Sequence, residues 1–152
     1  MNLGDSNQRF GVCWLFFGYT LALHVLDEAA HDFLAVYNPN ALAIRRALPL
    51  LPIPVPIPVF TFQTWIASLL CALTLWLALT PLASQGSKWM RRLAIPIAAL
   101  AGIGNAFVHI GSSIYYWRFM PGVYSAPLIL LSGIVLLRVV VSKHRGAQVE
   151  DP

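Results

Sequence analysis

Apolar positions run nearly unbroken through four stretches of this chain, roughly 10–33, 58–80, 92–116 and 122–141. Each is long enough for a helix that crosses a ~30 Å hydrocarbon core, which takes about 20 residues. The loop between the first two, 34–57, changes character along its length. In its first part Asn40 is placed to cap a short helix, with Leu42 and Ala43 toward lipid and Arg45 and Arg46 toward headgroups, the pattern of an interfacial helix. In its second part Pro49, Pro52, Pro54, Pro56 and Pro58 remove backbone donors and fix φ. An extended polyproline-like strap across the outer mouth is expected there, either a lid or a stiff connector. The third stretch has Pro96 near its start, then Ala98, Ala99, Gly102 and Gly104, small residues that let a neighbouring helix come close. Pro121 and Gly122 turn the chain into the fourth, and Tyr115, Tyr116 and Trp117 fit an aromatic belt at the outer interface. The pattern predicts an all-α fold, an integral membrane four-helix bundle forming one transmembrane domain over 1–152, with a cytoplasmic tail at 142–152.

Composition agrees: 58% of residues are hydrophobic, 11% are charged and the mean hydropathy is +0.69, outside the usual range of a water-soluble domain. A formal charge of +4 raises the question of nucleic acid, and the placement of the basic residues answers it. Arg9, Lys88, Arg91, Arg92, Arg138, Lys143 and Arg145 fall on one side of the predicted topology; only Arg45, Arg46 and Arg118 fall on the other. That asymmetry is the positive-inside rule for four crossings with both termini cytoplasmic, so no nucleic-acid partner is needed. The expected location is a cytoplasmic membrane of the bacterial kind, crossed several times. The first stretch is too long for a signal-peptide core, and Glu28 beside Ala29 and Ala30 spoils a cleavage site, so it is expected to be retained. Cys13 and Cys71 each sit inside a stretch and are read as packing residues.

Against this apolar background the segment HVLDEAAHDF, residues 24–33, stands out. His24, Asp27, Glu28 and His31 occupy i, i+3, i+4 and i+7, one continuous helical face. In the third stretch Asn105 and His109 are i and i+4, again one face. At ~1.5 Å per residue the two stripes reach a similar depth in the outer half of the membrane. Thr61, Gln63 and Thr64 of the second stretch and Tyr124 and Ser125 of the fourth can add polar groups to that layer. An Asp at mid-membrane costs about 2.5–3.5 kcal/mol on insertion scales, while a Leu or Ile returns only about 0.3–0.6. A cluster of this kind persists when its members satisfy one another or a ligand, and intramembrane ionisable residues mark function.

The HxxDE of His24 to Glu28, the NxxxH of Asn105 to His109, and the PG of Pro121 and Gly122 at the head of the last stretch resemble the HXXEE-domain family of small polytopic membrane proteins. The resemblance covers essentially the whole chain, with the motifs in the same order. Two positions depart from it: Asp27 stands where the family has its first Glu, and Phe119 and Met120 stand where the family's YSPG element has Tyr and Ser. Tyr124 is then the candidate to replace that hydroxyl. The resemblance implies the fold and the site more than a reaction.

Histidines and carboxylates on one face are metal ligands by type, and Glu28-x-x-His31 has the i, i+3 spacing of carboxylate-bridged metal bundles. A complete di-iron site needs a second such pair and further glutamates, and the other stretches contain no acid. A single divalent ion, zinc or else iron or manganese, is the economical reading, held by His24, Glu28, His31 and His109. Asp27, Glu28, Asn105 and Tyr124 are the candidate catalytic residues, Asp27 as a general base or a histidine-orienting group and Asn105 as a supporting hydrogen bonder. The expected activity is a metal-dependent membrane hydrolase or oxidoreductase acting on a lipid or lipid-like substrate. Two alternatives stand beside it. One is a metal-free acid–base isomerase or proton-coupled transporter, the latter needing a homo-oligomer to build a path. The other is a structural or partner-binding membrane protein.

Overall fold

The computed structural model describes residues 6–47 and 57–147, with side chains described as far as residue 142. Among the described residues the chain is all helix: α1 (Ser6–Ala30), α2 (Phe33–Ala47), α3 (Phe62–Ser84), α4 (Lys88–Ile97), a π-helical segment (Ala98–Gly104), α5 (Asn105–Tyr115) and α6 (Ala126–Ala147). Three helices are long and apolar enough to cross a membrane: α1, α3, and the continuous rod Lys88–Tyr115 made by α4, the π segment and α5. The apolar part of α6, Ala126–Ser142, is shorter.

Local chemistry explains the boundaries. Thr61 caps α3 reciprocally with Thr64: the Thr64 amide donates to Thr61 Oγ1 and the Thr61 amide donates to Thr64 Oγ1. The helix ends where Gly86 takes φ +76°, a conformation that glycine adopts at little cost. Pro96 cannot donate to the helical ladder, and the backbone widens into the π turn directly after it. α1 stops at Ala30 because His31 and Asp32 form a turn, Asp32 at φ 54°.

α1 is therefore shorter at its C-terminal end than the apolar run 10–33 suggested, and the helix expected after Asn40 begins at Phe33. Asn40 is not a cap: it lies inside α2 and its Nδ2 donates to the Val36 carbonyl. α2 is largely exposed, with only Ala41 buried. Most of the proline strap, 48–56, lies outside the described residues; 57–61 is non-helical and is tied to α2 by Tyr37, Asn38 and Arg45, which donate to the carbonyls of Pro58, Phe60 and Ile57. The last helix starts later than expected, at Ala126, after a turn through Pro121–Ser125.

α1 is the hub, packed on one side by α6 and on the other by α3. Phe10, Trp14 and Phe17 of α1 meet Ile129, Leu136 and Val140 of α6 in the core. Trp14 and Trp76 stack at 3.6 Å between centroids, and each indole N–H donates to the other residue's carbonyl. That contact needs Gly18, because a Cβ there would lie 2.3 Å from Trp76 Nε1. The π segment crosses α6 at Gly102 and Gly133, where a Cβ on either residue would come within 3.1–3.2 Å of the other's Cα. Of the small residues read from the sequence, Gly102 and Ala98 serve this crossing, whereas an added Cβ on Gly104 would meet only the Ala99 carbonyl of its own segment. Below the polar layer Thr20 Oγ1 and Ser132 Oγ are 2.7 Å apart and fully enclosed, so buried polarity is not confined to the outer end. Large apolar side chains such as Leu70, Leu100 and Phe107 are exposed, on helices long and apolar enough to cross a membrane.

Cys13 is partly buried against the core, whereas Cys71 is exposed and packs into nothing central, contrary to the packing role expected of it.

Candidate functional site

His24 and Glu28 are one turn apart on α1, near its outer end, and both are buried, at 1% and 7% exposure. His109, 6% exposed, reaches them from α5, the helix that the π segment feeds into the bundle. Glu28 Oε1 lies 3.2 Å from His109 Nε2 and 3.6 Å from His24 Nε2, and one ligand atom from each residue falls within 4.8 Å of the others. The two imidazoles stand edge to face, 4.7 Å between centroids.

Each ring is held by its other nitrogen. His109 Nδ1 is 2.5 Å from the Pro121 carbonyl, an acceptor, so Nδ1 carries a proton and Nε2 is the atom turned toward Glu28. His24 Nε2 lies 2.9 Å from Asn105 Nδ2, an amide nitrogen that can only donate, so the ring's proton sits on Nδ1 and is donated to Ser125 Oγ at 2.8 Å. The Ser125 hydroxyl in turn donates to Asp27 Oδ2 at 2.7 Å, and the Ser125 amide donates to the same oxygen at 2.9 Å. His24 Nε2, His109 Nε2 and Glu28 Oε1 thus face one space.

The turn before α6 makes this possible. Gly122 has φ +84°, and its Cα presses against both rings: a Cβ would meet His109 Cε1 and Nδ1 at 2.7 Å and His24 Cε1 at 2.9 Å. Phe33, at the start of α2, lies beside the site, its ring 6.2 Å from that of His109 and 5.7 Å from that of Trp65 of α3.

Of the residues picked out by sequence, His24, Glu28, His109 and Asn105 come together. Asp27 reaches His24 only through Ser125. His31 is not in the trio: α1 has already ended, and its Nδ1 lies 2.8 Å from the Asp27 carbonyl on a half-exposed ring. Tyr124 is 60% exposed, its ring 5.1 Å from that of His31 and outside the His24–Glu28–His109 trio. Thr61, Gln63 and Thr64 are exposed at the head of α3 and add nothing to the polar layer. The expectation that all four long helices furnish it is corrected: α3 brings Trp65 instead. Sequence reasoning also passed over three parts of the site. Ser125 had been counted only as nearby polarity, Phe33 only as the end of an apolar run, and the Pro121 carbonyl, a backbone group, leaves no trace in side-chain identity.

Comparison with known protein families, curated proteins and solved structures finds no match to this chain.

Proposed function

We propose that this chain is a multi-pass protein of a bacterial-type cytoplasmic membrane, a four-helix bundle with both termini inside, whose His24, Glu28 and His109 hold one divalent metal ion for chemistry on a lipid-like substrate. The convergence of three acceptor atoms carries the reading. Neutral histidines that aim lone pairs at a carboxylate repel it; a cation between them turns the same arrangement into ligation. Two ligand atoms each ~2.0–2.1 Å from a tetrahedral ion lie about 3.3 Å apart, and the separations from Glu28 Oε1, 3.2 and 3.6 Å, bracket that value. Zinc, iron or manganese all accept such a set.

Once bound, the ion would supply Lewis acidity toward an ester or amide carbonyl and lower the pKa of water. The chain's own residues prepare the site. The Pro121 carbonyl fixes the His109 tautomer, and Ser125 with Asp27 fixes that of His24, the support that raises ligand basicity in metal sites. Asn105 Nδ2, 2.9 Å from His24 Nε2, would be the group released toward substrate if that nitrogen held an ion. Phe33 and Trp65 exclude water from above. The HxxDE, NxxxH and PG order, which resembles that of HXXEE-domain proteins, is in keeping with the same residues.

A second reading rests on the 3.2 Å separation itself: with His109 protonated, His109 and Glu28 form a buried ion pair suited to acid–base isomerisation or proton coupling. Elemental analysis of the detergent-purified chain, grown with zinc, iron and manganese, separates the two. Close to one metal per chain, lost in His24→Ala and His109→Ala, is the expected result. Metal-free wild-type protein under all three supplements overturns the metal reading in favour of the ion pair.

A further inference from the structure

His24, Glu28 and His109 are 1, 7 and 6% exposed, so a substrate reaches them only after some part of the wall moves. The parts are held very unequally. α1, α5 and α6 carry the trio and its supporting groups and share the buried core, and Gly122 presses on both rings. α2 has Ala41 alone buried among its 15 residues, and it approaches the trio through one ring, that of Phe33, 6.2 Å from His109. Its fastenings run instead to the segment that leads into α3. Asn38 clasps Phe60 twice: Nδ2 donates to the Phe60 carbonyl at 2.9 Å, and Oδ1 accepts from the Phe60 amide at 3.1 Å. Tyr37 Oη donates to the Pro58 carbonyl at 3.1 Å, and Arg45 Nε donates to the Ile57 carbonyl. The rings of Phe60, Tyr37, Phe33 and Trp65 follow one another with centroids 5.9, 5.3 and 5.7 Å apart. These hydrogen bonds lie at exposed or half-buried positions, where water can replace either partner, so each breaks at small net cost.

At its other end α2 joins α1 through His31 and Asp32, a turn between the two helices. Asp32 holds φ 54°, in the left-handed region where a Cβ crowds the following carbonyl, so a change of φ at this residue relieves strain. A short strained join at one end and a clasp that water can replace at the other are the parts of a hinged lid. We propose that α2 is the lid of this site: release of the Asn38 clasp and rotation about His31 and Asp32 withdraw Phe33 from His109 and open the trio to substrate. The gating rests on the trio being the reactive centre proposed above, whereas the motion itself needs no metal ion.

Diethyl pyrocarbonate acylates neutral imidazole nitrogens, so its rate at His109 reports how often the site is open. The test treats the full chain, stripped of metal by a chelator, in maltoside micelles at neutral pH, with N-acetylhistidine in the same tube as the fully accessible reference and peptide mass spectrometry as the readout. Wild-type His109, buried behind a closed lid, should react at least ~10-fold more slowly than the reference. Asn38→Ala deletes both hydrogen bonds of the clasp and should raise the His109 rate at least ~5-fold. Tyr37→Phe keeps its ring, loses one exposed hydrogen bond and serves if Asn38→Ala does not fold; it should raise the rate about 2–10-fold. The near-ultraviolet circular dichroism of the stacked Trp14 and Trp76 should stay unchanged in both variants, because lid opening leaves the packing of α1 on α3 intact. Wild-type His109 that reacts as fast as the reference overturns the proposal. So do unchanged His109 rates in both variants, and so do faster rates that come in both with loss of the tryptophan signal, the mark of general loosening. A metal-free wild-type chain whose His109 rate still depends on the clasp overturns the metal reading and upholds the lid, so the two proposals fail separately.

Discussion

Gly122→Ala places one methyl group where the site is tightest. Two costs add. The residue holds φ +84°, a left-handed conformation that costs a non-glycine residue roughly 1–2 kcal/mol. The new Cβ would lie 2.7 Å from two atoms of the His109 ring and 2.9 Å from His24, overlap of the kind that costs about 1–3 kcal/mol in packed interiors. The sum is about 2–5 kcal/mol. Neither ring can simply swing away, because His109 is held by the Pro121 carbonyl and His24 by Ser125 and Asn105. At about 2–4 °C per kcal/mol for a chain of this size, the apparent Tm in detergent should fall by at least ~4 °C. Metal content should fall with it, since the rings are forced apart. Gly111→Ala is the control: it is a glycine in α5 with ordinary φ and nothing within 4 Å of its added Cβ, and it should be neutral or stabilising by up to ~1 kcal/mol. A Gly122→Ala chain that melts within 1 °C of wild type, with the same metal per chain, would refute the close packing of the turn on the two histidines.

Ser125→Ala removes the acceptor of the His24 Nδ1 proton and two donors to Asp27 are cut to one; a loss of about 1–3 kcal/mol in stability and a ~10–100-fold loss in metal affinity are expected, read by thermal unfolding and by competition with a chelating dye. Gly18→Ala must displace the Trp76 indole, so the near-ultraviolet circular dichroism of the stacked Trp14 and Trp76 pair should largely disappear, and an unchanged spectrum would contradict the contact. Chelation of the purified protein should lower its apparent Tm by about 5–10 °C if the ion is held near a hundredfold excess over Kd, with recovery on adding back zinc, iron or manganese; His109→Ala protein should show no such response.

The helical stretches and the polar stripe were legible because membrane burial leaves strong marks. A core without water demands helices of nearly fixed length and tolerates ionised side chains only in clusters, so periodicity in HVLDEAAHDF points at function before any coordinates exist. Helical spacing also correctly put His24 and Glu28 together, and Asn105 and His109. What spacing cannot supply is where a helix stops and how it is rotated. His31 belongs to the stripe by arithmetic, but the chain leaves α1 at Ala30 and Asp32 takes φ 54°, so His31 turns to the Asp27 carbonyl and stays half-exposed. Likewise Tyr124 and Ser125 are neighbours of equal promise in sequence; the turn at Gly122 sends Ser125 to His24 and leaves Tyr124 outside. By itself, then, the sequence determined an all-helical chain with membrane-length apolar helices and a histidine–carboxylate stripe near one end. Only the tertiary structure decided that His24, Glu28 and His109 share one space. That choice depends on the π segment that sets the rotation of α5, on a glycine with no side chain to separate two rings, and on the Pro121 carbonyl that orients one of them, all set by packing between distant parts of the chain.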